Sequence, residues 1–157
     1  MFRITQETMA RRLTSALGSG IVAGLVGTAA MTVSSTVEAK ASGREASTAP
    51  AEAAGKVAGV QPRDERGKQR FNTLVHWGYG TGWGVFRGVL EVIGLRGPAA
   101  SLTHFAAVFG AEQAVLPALG VGSPTPCYGA RATAIDSLHH AVYAAVTGVT
   151  YDLLRRS

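Results

Sequence analysis

The sequence predicts an all-α integral membrane protein, a four-helix bundle with the marks of a duplicated two-helix unit, and three observations carry that expectation. Charge is scarce: 16% of the residues are charged, against roughly 25% in a soluble domain. The charges also avoid long windows, with none between Ser15 and Val37 and Glu112 alone between Pro98 and Ala130. Finally, a helix that opens on histidine and repeats small residues is written twice, as HWGYGTGWGVFRGVL and HHAVYAAVTGVTYDLL, with His76 and His140 in equivalent places.

A helix in lipid must be largely uncharged all round for about 20 residues, whereas a soluble helix sets an apolar stripe beside a polar one. Windows at about 16–37, 74–95, 98–120 and 133–154 meet or nearly meet that condition. They predict one transmembrane domain spanning the whole chain. A competing expectation is a secretory leader, with Arg11 and Arg12, the apolar run from Leu17 to Val33 and the small residues of EAKASG. Three further apolar windows weigh against it.

The opening MFRITQETMARRLT reads as a short amphipathic lead-in. In the first span Gly20, Gly24 and Thr28 recur at intervals of four, a face of small residues that lets helix backbones approach closely. The connection over 38–73 contains a predicted surface helix at 49–60, with Pro50 in its first turn, and then the charged run RDERGKQR at the headgroup or aqueous level. Glycines crowd the second span at 78, 80, 82, 84 and 88. In water that density would melt a helix, but in hydrocarbon the backbone must bond to itself. Pro98 is placed to begin the third span, where Ala106, Gly110 and Ala114 repeat the small-residue theme. Pro124 and Pro126 stiffen the second loop, and Arg155 and Arg156 mark the return of the fourth span to the headgroups. An even number of spans sets both termini on one side, while the distribution of Lys and Arg leaves the orientation open.

Aligning His76 with His140 pairs Tyr79 with Tyr143, Gly80 with Ala144, Gly84 with Gly148 and Arg87 with Tyr151. His76, Gly80, Trp83, Arg87 and Glu91 then share one face of the second span. His140, Ala144, Thr147 and Tyr151 share the matching face of the fourth, with Asp136 one turn earlier. The helix-packing positions expected from these patterns are Gly20, Gly24, Gly80, Gly84, Gly88, Ala106, Gly110, Ala144 and Gly148. Two such units used in the same direction would set the second and fourth spans facing each other about an axis along the membrane normal.

Arg87, Glu91 and Glu112 are expensive at membrane depth and must pair or face a cavity. Glu91, one turn from Arg87, is the expected partner, with Glu112 a less direct one. Three roles stay open for them: a pair that fixes packing, a polar permeation or proton route, and an anion or headgroup site at Arg87. His76 and His140 allow haem ligation as an alternative, with Gly80 and Ala144 providing room, although both histidines begin their spans, where imidazole also meets water or caps a helix. His104 with His139 or Glu112 is a remote metal alternative, since no zinc or di-iron spacing is present. The chain has no nucleophile elbow, phosphate loop or catalytic carboxylate pair, and GYGTGWG lacks dinucleotide-loop spacing. No enzymatic activity and no cofactor is expected. A formal charge of +5 without aromatic interleaving points to anionic lipid headgroups and not to nucleic acid. A single cysteine, Cys127, excludes an internal disulfide.

The stretches GIVAGLVGTAAMTV, GREASTAP, HWGYGTGWG, LPALGV and HHAVYAAVTGVTYDLL resemble a group of small bacterial four-span membrane proteins of the YagU type, over most of the chain from Gly20 to Leu154. The resemblance implies the four spans, a place in the bacterial inner membrane and the reused His-x-x-Tyr helix. It brings no activity and no assigned site residue. The expected role is a non-enzymatic structural or accessory subunit, self-associated or docked on other membrane subunits. A small transporter or channel and a haem-binding electron carrier are the alternatives.

Overall fold

Helices account for most of the residues described in the computed structural model, 2–44 and 47–156, with side chains described from residue 8. The order is α1 (Phe2–Ser42), α2 (Ala49–Ala58), α3 (Glu65–Val92), α4 (Gly97–Ala118), a 3-10 turn at Thr125–Tyr128 and α5 (Ala130–Arg156). No strand occurs among the described residues, so the all-α expectation holds.

Helix ends follow local chemistry. Pro50 stands in the first turn of α2, the Thr48 hydroxyl donates to Glu52 (2.6 Å), and Gly59 closes the helix in the left-handed region at φ 66. The Asp64 carboxylate caps α3 by accepting from the Gly67 amide at 2.7 Å. RDERGKQR is therefore largely the exposed first turns of α3 and not a separate charged segment. Pro98 lies in the first turn of α4, where its missing N–H costs nothing.

One expectation about α1 changes, and one about the other long helices. The lead-in and the span are one continuous helix of 41 residues, about 60 Å long at 1.5 Å per residue, roughly twice the hydrocarbon thickness of a bilayer. Nothing in MARRLTSALG breaks a helix, so the polar residues extend it. Within it, Thr8–Ser42 is the one helix among the described residues long and apolar enough to cross a membrane by length and composition, with an 18-residue stretch of mean hydropathy 1.7. The other three long helices are less apolar than the sequence windows promised. Glycine, histidine, glutamine and the charged groups at 87, 91 and 112 dilute them.

The bundle is organised by α1, which runs antiparallel to α3 on one side and to α5 on the other, while α4 packs on α5. Along α1 and α3 the backbones nearly touch. A Cβ on Gly84 would strike the Gly20 carbonyl and the Gly24 Cα. One on Gly24 would lie 2.9 Å from the Gly84 Cα, and one on Gly88 2.5 Å from the Ala16 carbonyl. Gly80 faces the Thr28 side chain, Gly27 faces Thr147 and Tyr143 of α5, and Gly148 faces Ser101 of α4. Ala144 is buried beside them.

The third-span stripe behaves differently. Ala106, Gly110 and Ala114 are exposed, and a Cβ on Gly110 would meet nothing within 4 Å. Small size allows close approach but does not select a face, and α4 turns His104 and Val108 inward instead.

Helices α3 and α5 run parallel. Their contacts are offset by 63 residues at Gly80 and Tyr143, 65 at Arg87 and Asp152, and 64 at Glu91 and Arg155. That is the offset at which the two histidine helices align in the sequence.

Candidate functional site

The polar residues of the bundle gather at three levels. At the end near the termini, Arg87 is fully buried, and its Nη2 donates to Asp152 Oδ1 at 2.7 Å. Its guanidinium carbon lies 4.4 Å from the centre of the Tyr151 ring, a cation–π distance. A guanidinium carries five N–H donors, and Nε and Nη1 of Arg87 have no hydrogen-bond partner. Beside it Arg155 clamps both oxygens of Glu91 through Nε and Nη2, at 3.1 to 3.3 Å, and its Nη1 donates to the Ser15 hydroxyl of α1. The expected partners of Arg87 are thus corrected. Glu91 belongs to Arg155, Glu112 lies elsewhere, and Asp152 takes the arginine because parallel helices in this register bring residue 152 opposite residue 87.

A cavity of about 530 Å³ opens over this cluster, with Arg87 among its lining residues. Arg12 of α1, Arg96 of the turn before α4 and Arg155 and Arg156 of α5 also border it, and Met9, Leu13 and Val92 provide an apolar edge.

At mid-depth the bonds are helix to helix. The Tyr143 hydroxyl donates to the Gly80 carbonyl at 2.5 Å, and His104 Nε2 lies 3.0 Å from the Trp83 carbonyl. The Thr28 hydroxyl returns to the Gly24 carbonyl at 2.7 Å within α1. Tyr79, matched to Tyr143 in the repeat, is instead exposed and stacks edge-on with Trp83.

At the loop end, His140 Nε2 is 2.9 Å from Glu112, and its Nδ1 is 3.3 Å from the Asp136 carboxylate. Asp136 also accepts from the Thr125 hydroxyl at 2.8 Å, and the Thr125 amide donates to Gln113 at 2.6 Å. These bonds tie the 3-10 turn to α4 and α5. Glu112, Asp136 and His140 bring donor atoms within 4.8 Å of one another, which is metal-ligand spacing. His140 lies between the two carboxylates, and Asp136 is tied in turn to Thr125, so the group links α4, the 3-10 turn and α5. His104 and His139, the other metal alternatives, stand outside it: His139 Nδ1 bonds Ser34 at 2.8 Å.

The haem alternative needs His76 and His140 turned toward one iron. His76 Nε2 instead shares a 2.8 Å hydrogen bond with Thr32 of α1, and His140 is held by its two carboxylates. Just beyond the expected first span, Arg44 donates to Glu38 at 2.6 and 3.2 Å, and its guanidinium holds that carboxyl below the usual carboxylate range.

Asp152, Gln113, Thr125, Thr32 and Ser34 were not singled out from the sequence, and Arg155 was read only as the end of the fourth span. For Arg155 a signal existed, since the 64-residue repeat used as a contact register sets it opposite Glu91; the same register sets Tyr151 opposite Arg87, one residue short of Asp152. The others are tertiary partners with no periodic mark. No family model matches the chain, and no curated protein or solved structure matches it.

Proposed function

We propose that the chain is a multi-span bundle of the bacterial inner membrane with a structural, non-enzymatic role, associating through its outer faces with copies of itself or with other membrane subunits. One observation supports this above the others: large polar side chains are buried while a run of aliphatic ones is exposed. The largest fully buried side chains are Arg87, Tyr143, Tyr151, His104, Thr28 and Thr147, while Ile21, Val22, Leu25, Val26, Val33 and Val37 lie exposed along α1. In water such a continuous apolar face is a liability. In lipid it is solvated by acyl chains, and polar groups turn inward to find partners.

Close glycine crossings fit the same medium, where packing rather than water exclusion holds helices together. The exposed small residues at 106, 110 and 114 leave α4 a face open to a further helix. A transport route through Arg87, Glu91 and Glu112 is disfavoured, because Glu112 joins His140 at the opposite end of the bundle. The proposed membership of the YagU-type group rests on this same architecture.

Membranes carrying the protein, washed at alkaline pH, test the proposal. The chain should stay in the pellet and leave it only with detergent, then run as an assembly heavier than one copy. Release into the wash would refute the membrane assignment, and a strictly monomeric detergent complex would refute the association.

A further inference from the structure

The geometry points to a second function at the terminal end of the bundle: a binding site for a phosphate-bearing anion, the headgroup of an anionic phospholipid. The inference rests on the membrane proposal for the source of the ligand, but not for the oxyanion chemistry.

Five arginines, at 12, 87, 96, 155 and 156, border the 530 Å³ cavity against two carboxylates, Glu91 and Asp152, leaving three positive charges in surplus. The volume lies in the range of small-ligand sites, about 300–1,000 Å³. One carboxylate is consumed by Arg155 and the other by a single arm of Arg87. What distinguishes the cavity from an ordinary basic surface is Arg87. It is fully buried, and its Nε and Nη1 donors have no partner. A charged donor left unmatched in a low-dielectric interior calls for an acceptor. Arginine forks match phosphate oxygens two at a time.

The shape favours a lipid over free phosphate. Met9 and Leu13, successive outward positions on the same face of α1 as Arg12, and Val92 at the end of α3 form the apolar edge of the cavity, and all three are exposed. An amphiphile would set its phosphate among the arginines and lay its acyl chain along that edge. Arg155 and Arg156 close α5 at the depth expected of headgroups.

The test uses full-length protein in a neutral detergent and measures retention of phosphatidylglycerol, phosphatidylcholine or inorganic phosphate by native mass spectrometry and thermal shift. Arg12→Gln with Arg96→Gln is the first variant, since both side chains are exposed and their loss leaves the buried pairs intact. Arg87→Lys is the second, keeping the charge but removing the fork. We expect saturable phosphatidylglycerol binding, no comparable phosphatidylcholine binding, and about tenfold or more weakening in each variant. Equal retention of both lipids by folded wild-type protein, or unchanged affinity in the double variant, would overturn the site. Saturable phosphate binding without preference for the anionic lipid would overturn the lipid as its source. Anion binding by a chain that needs no detergent would overturn the membrane proposal while leaving the oxyanion site standing.

Discussion

At Gly84 and Gly110 the same residue type does opposite work. A leucine at 84 must displace the Gly20 carbonyl and the Gly24 Cα, which belong to backbone and cannot swing aside. A leucine at 110 enters open space. Gly84→Leu should therefore cost about 3 kcal/mol or more, at or beyond the upper end of ordinary overpacking, because the clash is with main chain. Gly110→Leu should leave unfolding of the isolated chain within about 0.5 kcal/mol and instead lower the assembly mass in detergent. Reversible unfolding in mixed micelles and light scattering separate the two. Equal stability losses would show that α4 and α3 are packed alike.

The same scale governs Arg87. Removing its carboxylate with Asp152→Ala strands a buried cation, a change that costs about 3–5 kcal/mol in buried pairs. Asp152 is 31% exposed, which places the expected loss at the low end. Restoring most of it with Arg87→Met on the Asp152→Leu background would identify the penalty as a stranded charge. A loss that the double variant deepens would identify packing instead. The partner was hidden in the sequence, because Glu91 offered the nearer i+4 position and only tertiary register delivers Asp152.

At the scale of elements, much could be read in advance. Pro50 and Pro98 mark true helix starts, and the histidine repeat carries the register of α3 against α5. The extent of α1 could not be read from apolarity, since helix formation does not stop where hydrophobicity does. The outward face of α4 was equally invisible, because three small residues in a row specify closeness and not a neighbour. The end of α1 has its own pH dependence. Arg44 holds Glu38 below its ordinary value of 4.5, so the pair stabilises the fold above that pH and loses its contribution as pH falls through the lower folded value. Protection factors of the amides near residues 38–44, corrected for the intrinsic pH dependence of exchange, should fall in acid in the wild type, and Glu38→Gln should flatten that dependence. An unchanged acid response in the variant would assign it to another carboxylate.

Over the whole molecule, the partition of side chains is the unusual feature: beside Leu90, Val108 and Val121 the buried set holds Arg87, His104, Tyr143, Tyr151, Thr28 and Thr147, while valine, leucine and isoleucine line the outer face of α1. The proposed lipid environment accounts for that distribution, since acyl chains solvate the exposed aliphatic side chains of α1. Composition alone satisfies the length and apolarity of a span at α1. The further crossings are argued from burial, since Arg87 of α3, His104 of α4 and His139, His140 and Thr147 of α5 are turned inward. Cysteine accessibility in intact membranes tests this directly. Native Cys127, exposed in the 3-10 turn, reports the loop end. Ile93→Cys in a Cys127→Ser background reports the opposite end, at another exposed position. Four crossings predict that a membrane-impermeant maleimide labels these two positions from opposite sides of the bilayer; labelling of both from the same side would contradict it.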